Sequence, residues 1–333
     1  MPRVSPTLTL AALLGAALLS LAFALGAGSV SIPLPDIWTS LRGGSGPGAD
    51  IVLGLRVPRA LSGFAVGAAL ALSGALLQAL LRNPLADPYV LGISGGAAVA
   101  ALLALALGLP AIAVQGAAIS GALMTLILLF LLARRALYST SAALGEQATG
   151  AVLLTGVMLA SFAAALMSLV LALAPDGRLR TMVFWLLGDL AGATNVLPAL
   201  ITLALVGLML VLARADARAL NLMMRGDLQA YTQGVRVVVI RRRLIFIAAV
   251  ATASAVTLGG AVGFVGFVAP HLVRMVAGND QRVVLPAAML LGGALVVAAD
   301  TVARTAFAPL QLPVGVLTAL IGVPVFLWFL GRR

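Results

Sequence analysis

An all-α, polytopic membrane protein is the fold class this sequence predicts, and three observations predict it. Hydrophobic residues make up 62% of the 333 positions and charged residues only 9%, a balance foreign to ordinary soluble domains. Apolar runs of about 18 residues or more recur along the whole length, each enough to cross a bilayer as a helix. The alternating ten-residue segments of a membrane β-barrel do not occur. All 21 basic residues are arginines, and they sit mostly between the apolar runs. The net charge of +11 therefore reports orientation in a membrane rather than affinity for nucleic acid.

Composition also excludes chemistry. A chain without lysine cannot build a Walker loop, whose lysine reaches the nucleotide phosphates. Any ATP used must bind to another chain. With no cysteine, disulfides and thiolate metal sites are excluded. One glutamate, Glu146, and one histidine, His271, leave little for acid–base catalysis. No enzyme, metal site or cofactor is expected in this chain.

Residues 8–28 form the first apolar run, behind Arg3. The apolar core of a cleaved signal is about 7–15 residues, so this longer run reads as a retained span. Residues 31–56, rich in Gly and Pro, read as an external loop. A second span over about 60–81 ends at RNPLADP (82–88), where Asn-Pro and Asp-Pro both stop helices. The stretch 89–133 is too long for one crossing at about 1.5 Å per residue. Gly108 and Pro110 divide it into two. Arg134 and Arg135 mark the cytoplasmic side, and a fifth span covers 148–173. PDGRLRTMVFWLLGDLAGAT (175–194) is too polar to cross. Its MVFWLL core predicts a short outer half-helix, tolerated at membrane depth only where it lines protein or water. The sixth span covers 196–213.

Residues 214–243 form the one long polar stretch after the first sixty residues, with seven arginines beside Asp216 and Asp227. Such a stretch belongs in the cytoplasm. Apolar residues recur at helical spacing through LNLMMRGDLQAYTQG (220–234), which predicts one short helix across the mouths of two spans. Residues 244–277 read as one long span or as two hinged near Gly259 and Gly260. Two spans place Arg332 and Arg333 in the cytoplasm, in keeping with the positive-inside rule. With 283–306 and 314–330 the total becomes ten, both termini inside, with 15 arginines inside and 6 outside.

Arg56, Arg59 and Arg304 belong to the outer six. Interfacial anchoring explains the first two, and Asp300 and Arg304 form an i,i+4 pair worth a few tenths of a kcal/mol. His271 reads as a structural residue near a helix end, and Asp189 as facing water. An ion-coupled transporter would place carboxylates near the bilayer midplane, yet all ten acids fall in loops or near span ends. A channel would need a ring of filter residues, and none is visible.

RVPRALSGFAVGAALALSGALLQALLRNPLADPYVLGISGGA (56–97) and GFVGFVAPHLVR (263–274) resemble the permease subunits of type II ABC importers. ADTVAR (299–304) and LPVGVLTALIGVPVFLWFL (312–330) match as well. These importers take up vitamin B12, haem and ferric siderophores. The resemblance covers nearly the whole chain and implies one transmembrane permease domain over 1–333, in the bacterial inner membrane. It further implies a homodimer, two cytoplasmic ATPase subunits that bind ATP and Mg, and a periplasmic substrate-binding protein.

By the same resemblance, Arg56, Arg59 and Arg304 grip carboxylates on the binding protein. Asn83 and Leu85, with Tyr138, Ser139, Thr140 and Ser141, close the pathway on the cytoplasmic side. Leu220, Asn221, Arg225, Gly226, Asp227 and Gly234 couple the chain to its ATPase. Here the family's usual Leu-Gly-acid step reads Arg225-Gly226-Asp227, a departure in the coupling helix. Met158, Phe162, Met167, Met182, Phe184 and Trp185 offer flat or pliable apolar wall. That wall favours haem, with ferric siderophore and vitamin B12 as the alternatives; ordinary core side chains would read the same way.

Overall fold

Small residues dominate VPRALSGFAVGAALALSGALLQAL, and they build the axis around which the other helices pack. A computed structural model of the chain describes residues 5–28, 30–44, 48–138, 145–306, 308 and 310–330. Among these residues every regular element is helical. In order they are α1 (Pro6–Gly26), α2 (Leu34–Leu41) and α3 (Ala49–Ile51), which runs through a π-helical turn (Val52–Arg56) into α4 (Val57–Leu80). A 3-10 turn (Pro88–Leu91) precedes α5 (Ile93–Ala106), α6 (Ala111–Leu132), α7 (Arg134–Tyr138) and α8 (Gly145–Leu173). Then come α9 (Asp176–Leu186), α10 (Val196–Ala215), α11 (Ala217–Met223) and α12 (Asp227–Thr232). The chain closes with α13 (Val237–Gly259), α14 (Val265–Ala277), α15 (Gln281–Thr305) and α16 (Val314–Leu330).

Six of these helices are long and apolar enough to cross a membrane, and α5, α14 and α16 are shorter apolar helices. The 23-residue α13 carries Arg241, Arg242 and Arg243 in its opening turns and is apolar beyond them. Among the described residues this gives about ten membrane helices.

Burial is continuous along α4 from Ala65 to Leu80. Helices in lipid gain little by burying apolar side chains, so close backbone approach and interhelical hydrogen bonds must hold them together. Gly67 lies against the Gly292 carbonyl of α15, and Gly74 against the Gly266 carbonyl of α14, both closer than any Cβ would allow. The Ser73 and Thr252 hydroxyls share a 2.8 Å hydrogen bond between α4 and α13. Gln78 Nε2 donates to the Phe267 carbonyl at 3.1 Å. With α10, these helices enclose α4; α1 packs on α15 and leaves most of its own surface uncovered by the rest of the chain.

The helix breaks fall where glycine and proline place them. Left-handed Gly108 and the N-capping Pro110 separate α5 from α6. Left-handed Gly260 and Phe264 separate α13 from α14, so 244–277 is two helices. At about 1.5 Å per residue, 13-residue α14 and 14-residue α5 reach only about 20 Å. Each is preceded by irregular backbone, and the two irregular segments meet: Tyr89 Oη donates to the Val262 carbonyl at 2.8 Å, and Gly266 abuts Pro88. Non-helical backbone at membrane depth is tolerated only when covered in this way.

One expectation is corrected. The polar stretch holds two short helices, α11 and α12, and not one. Gly226, at φ +137°, breaks them, a conformation that side-chain-bearing residues rarely adopt. In addition α13 begins at Val237, so Arg241–Arg243 ride on a span helix rather than in the loop.

Gly74→Ala is expected to cost roughly 1–3 kcal/mol, because a Cβ there overpacks a backbone contact. Gly207→Ala, where the added carbon meets nothing within 4 Å, should be neutral or gain up to about 1 kcal/mol. Thermal unfolding in detergent measures both.

Candidate functional site at the two ends of the bundle

At one end, Asp300 is buried in the last turns of α15. Arg59 of α4 grips it from Nε at 2.9 and 3.1 Å and from Nη2 at 2.9 Å. Arg59 Nη1 also donates to Gln311 Oε1 at 2.7 Å. The expected i,i+4 partner, Arg304, stands farther off at 3.8 Å and donates instead to the Ala24 carbonyl. Arg56 is buried and donates to the carbonyls of Leu25 (2.6 Å), Gly26 (3.0 Å) and Val30. It caps the end of α1, where unpaired carbonyls and the helix dipole favour a cation. All three arginines, with Gly28, Ala191 and Gln311, line one pocket of about 240 Å³. Three positive charges there face one carboxylate. Asp189 accepts from the Ala191 amide at 2.8 Å, which shapes the neighbouring turn.

The other end is built on the turn after α4. Asn83 is exposed, and its Oδ1 accepts from the Leu85 amide at 2.9 Å, a local Asx turn. Leu85 is exposed. Arg82, just before them, takes the left-handed conformation at φ +49°. Tyr138 is exposed beneath the Arg242 guanidinium, 4.3 Å from its ring centroid, a cation–π contact. Ser139, Thr140 and Ser141 lie outside the described residues.

In the α11–α12 segment Leu220 is fully buried. Asn221 bridges to α15: its Nδ2 donates to Asp280 Oδ1 at 2.9 Å, and its Oδ1 accepts from the Gln281 amide at 2.9 Å. Hydrogen bonds from Arg282 above all, and then from Asn221, hold the Asp280 carboxyl well below the usual carboxylate range. Asp227 is only 8% exposed, paired with Arg241 of α13 and, at 3.4 Å, with Arg82. Arg225 is exposed, and Gly226 and Gly234 both take positive φ.

Sequence reasoning missed Arg82 and Arg241 as partners of Asp227. It also missed Leu228 and Tyr231, which are 64% and 60% exposed on α12. Periodicity counts a leucine as core-facing. Here Asp227 and Ala230 face inward and leave Leu228 and Tyr231 outside.

The expected apolar wall divides. Met158 and Phe162 are exposed one turn apart on α8, and Met167 is half-buried. Phe184, under the Arg180 guanidinium at 5.4 Å, and Trp185 are also half-buried. Met182, expected on the same wall, is fully buried within this chain and packs inside the bundle from α9. His271 stacks on Phe267 one turn earlier, with centroids 6.4 Å apart.

About ten apolar helices around one buried axis, with charge confined to the two ends, define a multi-pass membrane permease. The chain belongs to the FecCD transport family, whose model matches residues 12–332. It is 43% identical to the cobalamin import system permease protein BtuC of Halobacterium salinarum over 86% of this chain and 74% of the relative. Identity to the hemin transport system permease protein HmuU of Yersinia pestis is 36%, over 99% and 97%. The vitamin B12 import system permease protein BtuC of Escherichia coli O127:H6 is 38% identical over 94% and 91%. A solved inward-facing metal-chelate type ABC transporter superposes with a TM-score of 0.83 at 29% identity, covering 99% of this chain and all of the other.

Removing the carboxylate at Asp300 would leave Arg59 and Arg304 as buried like charges. Breaking a buried pair in this way costs roughly 3–5 kcal/mol. Asp300→Asn is therefore expected to melt well below wild type in detergent.

Proposed function

We propose that this chain is the membrane-spanning subunit of an ATP-driven importer for a metal–tetrapyrrole chelate. It works as a homodimer with two cytoplasmic ATPase subunits and an external substrate-binding protein. One observation carries this reading. A cationic pocket at one end and a helix with exposed Leu228 and Tyr231 at the other are both tied to the same two helices: Arg59 of α4 grips Asp300 of α15, while Arg82, just past α4, pairs with Asp227, and Asp280, the cap of α15, accepts from Asn221 of α11. The pocket with Arg56, Arg59 and Arg304 suits carboxylates of the binding protein. Leu228 and Tyr231, exposed on a helix in an arginine-rich segment, suit the ATPase. ATP hydrolysis belongs to that partner, and the arginine distribution supports a reading with both termini in the cytoplasm of an inner-membrane protein.

Haem and cobalamin both enter this reading, because each is a metal held in a flat tetrapyrrole ring. The relatives are named for cobalamin, vitamin B12 and hemin, and the exposed Met158 and Phe162 supply an adaptable apolar face for such a ring. The buried Met182 removes part of the wall that ranked haem first, so the two cargoes stand level.

Vesicles carrying this chain, its ATPase and its cognate binding protein are expected to accumulate haem or cobalamin on addition of ATP. Uptake of a ferric siderophore alone would overturn the cargo and leave the importer class standing. ATP-independent uptake would overturn the class.

Arg59→Glu with Arg304→Glu should weaken binding-protein association at least tenfold, and the wild-type affinity should fall with salt, as expected for charge steering. Leu228→Asp with Tyr231→Asp should release the ATPase during purification while docking at the outer face persists. Surface plasmon resonance and co-purification report the two effects separately.

A further inference from the structure

The carboxylate of Asp227 opens α12 yet points away from the exposed face of that helix. It is buried between two guanidinium groups that come from different parts of the bundle. Arg82 lies two residues past the end of α4, and Arg241 sits in the opening turns of α13. We propose that Arg82–Asp227–Arg241 is a force-transmitting joint, through which displacement of α11–α12 moves the cytoplasmic turn Arg82–Ala86. The inference rests on α11–α12 being the seat of the ATPase, and it gives Arg82 and Asp227 positioning roles rather than contacts with that partner.

Three features make the joint fit to carry motion. First, the buried Asp227 carboxylate is fixed to α12 and held by Arg241, so a shift of α12 moves a fixed negative charge relative to Arg82, 3.4 Å away, whose guanidinium is drawn along by charge attraction. Second, the turn is tied to itself. The Asn83 amide donates to the Gln78 carbonyl at 3.2 Å, the Ala86 amide to the Asn83 carbonyl at 3.1 Å, and the Leu85 amide to Asn83 Oδ1. A pull on Arg82 therefore carries Asn83 and Leu85 with it. Arg82 itself holds a left-handed backbone at φ +49°, which is uncommon for a residue with a side chain. Third, Asp227 has a second partner. Arg241 keeps α12 seated when Arg82 is removed, so the link to the turn can be cut by itself.

Arg82→Gln and Arg82→Lys test this in vesicles with the ATPase and binding protein, using haem or cobalamin, whichever the wild-type vesicles accumulate. Arg82 is 28% exposed at its side chain, so its replacement leaves a foldable protein. The expected result for Arg82→Gln is ATPase association as in wild type and at least a tenfold fall in chelate imported per ATP hydrolysed. Arg82→Lys, which keeps the charge, should recover most of that ratio.

A second readout uses the absence of cysteine. A single cysteine at Leu85, spin-labelled, should report an ATP-dependent change in the wild-type background and none with Arg82→Gln. Import per ATP at the wild-type ratio, or an unchanged response of the Leu85 label, overturns the joint. Loss of the ATPase from Arg82→Gln overturns it too, since Arg82 would then be a subunit contact. Should the wild-type complex fail to retain the ATPase, the reading of α11–α12 as its seat fails first, and visibly so.

Discussion

In a bilayer, helices gain nothing by hiding apolar side chains from a solvent that is itself apolar, so the bundle depends on backbones coming close around α4. Gly67 meets the carbonyl of Gly292, and Gly74 that of Gly266, at separations that leave no room for a Cβ. Dispersion over such close contacts, with the Ser73–Thr252 and Gln78–Phe267 hydrogen bonds, supplies the attraction that water supplies in a soluble core. The same closeness seats α14 against Pro88, so the broken segments before α5 and α14 cover one another's backbone.

That axis explains why charge is confined to the ends. Every position of α4 from Ala65 to Ala75 is buried against another helix, and the Arg274 guanidinium of α14 reaches α4 only near its end, donating to the Ala75 carbonyl at 3.1 Å. Charges are found instead where α4 and α15 emerge. Arg59 meets Asp300 at one end. At the other, Arg82 meets Asp227 and Asn221 meets Asp280. Since α15 is a single 25-residue helix and α4 continues an unbroken helical rod from Ala49, each end is mechanically connected to the other. The exposed face of α8, with Met158 and Phe162, remains to be covered by partner protein, lipid or cargo.

The sequence alone determined the membrane class, the approximate number of spans and the principal breaks. These follow from local quantities: the length of an apolar run, the conformations open to Gly and Pro, and the clustering of arginine between runs. Gly259–Gly260, Gly108–Pro110 and the short helix holding MVFWLL were all legible for that reason. The arginine group at one end and the helical polar segment at the other were likewise visible in the sequence as clusters of charge between apolar runs.

Tertiary structure decided which charge meets which, and which way each side chain faces. Arg59 lies 241 positions from Asp300 and takes the carboxylate that i,i+4 spacing assigned to Arg304. Arg56 caps α1 across 31 positions. Arg82 and Arg241 reach Asp227 from separate helices. Met182 turns inward although the residues around it are half-exposed. Periodicity supplies a repeat along one helix and no knowledge of the neighbour. Partners distant in the chain become visible only when packing has set the helices side by side.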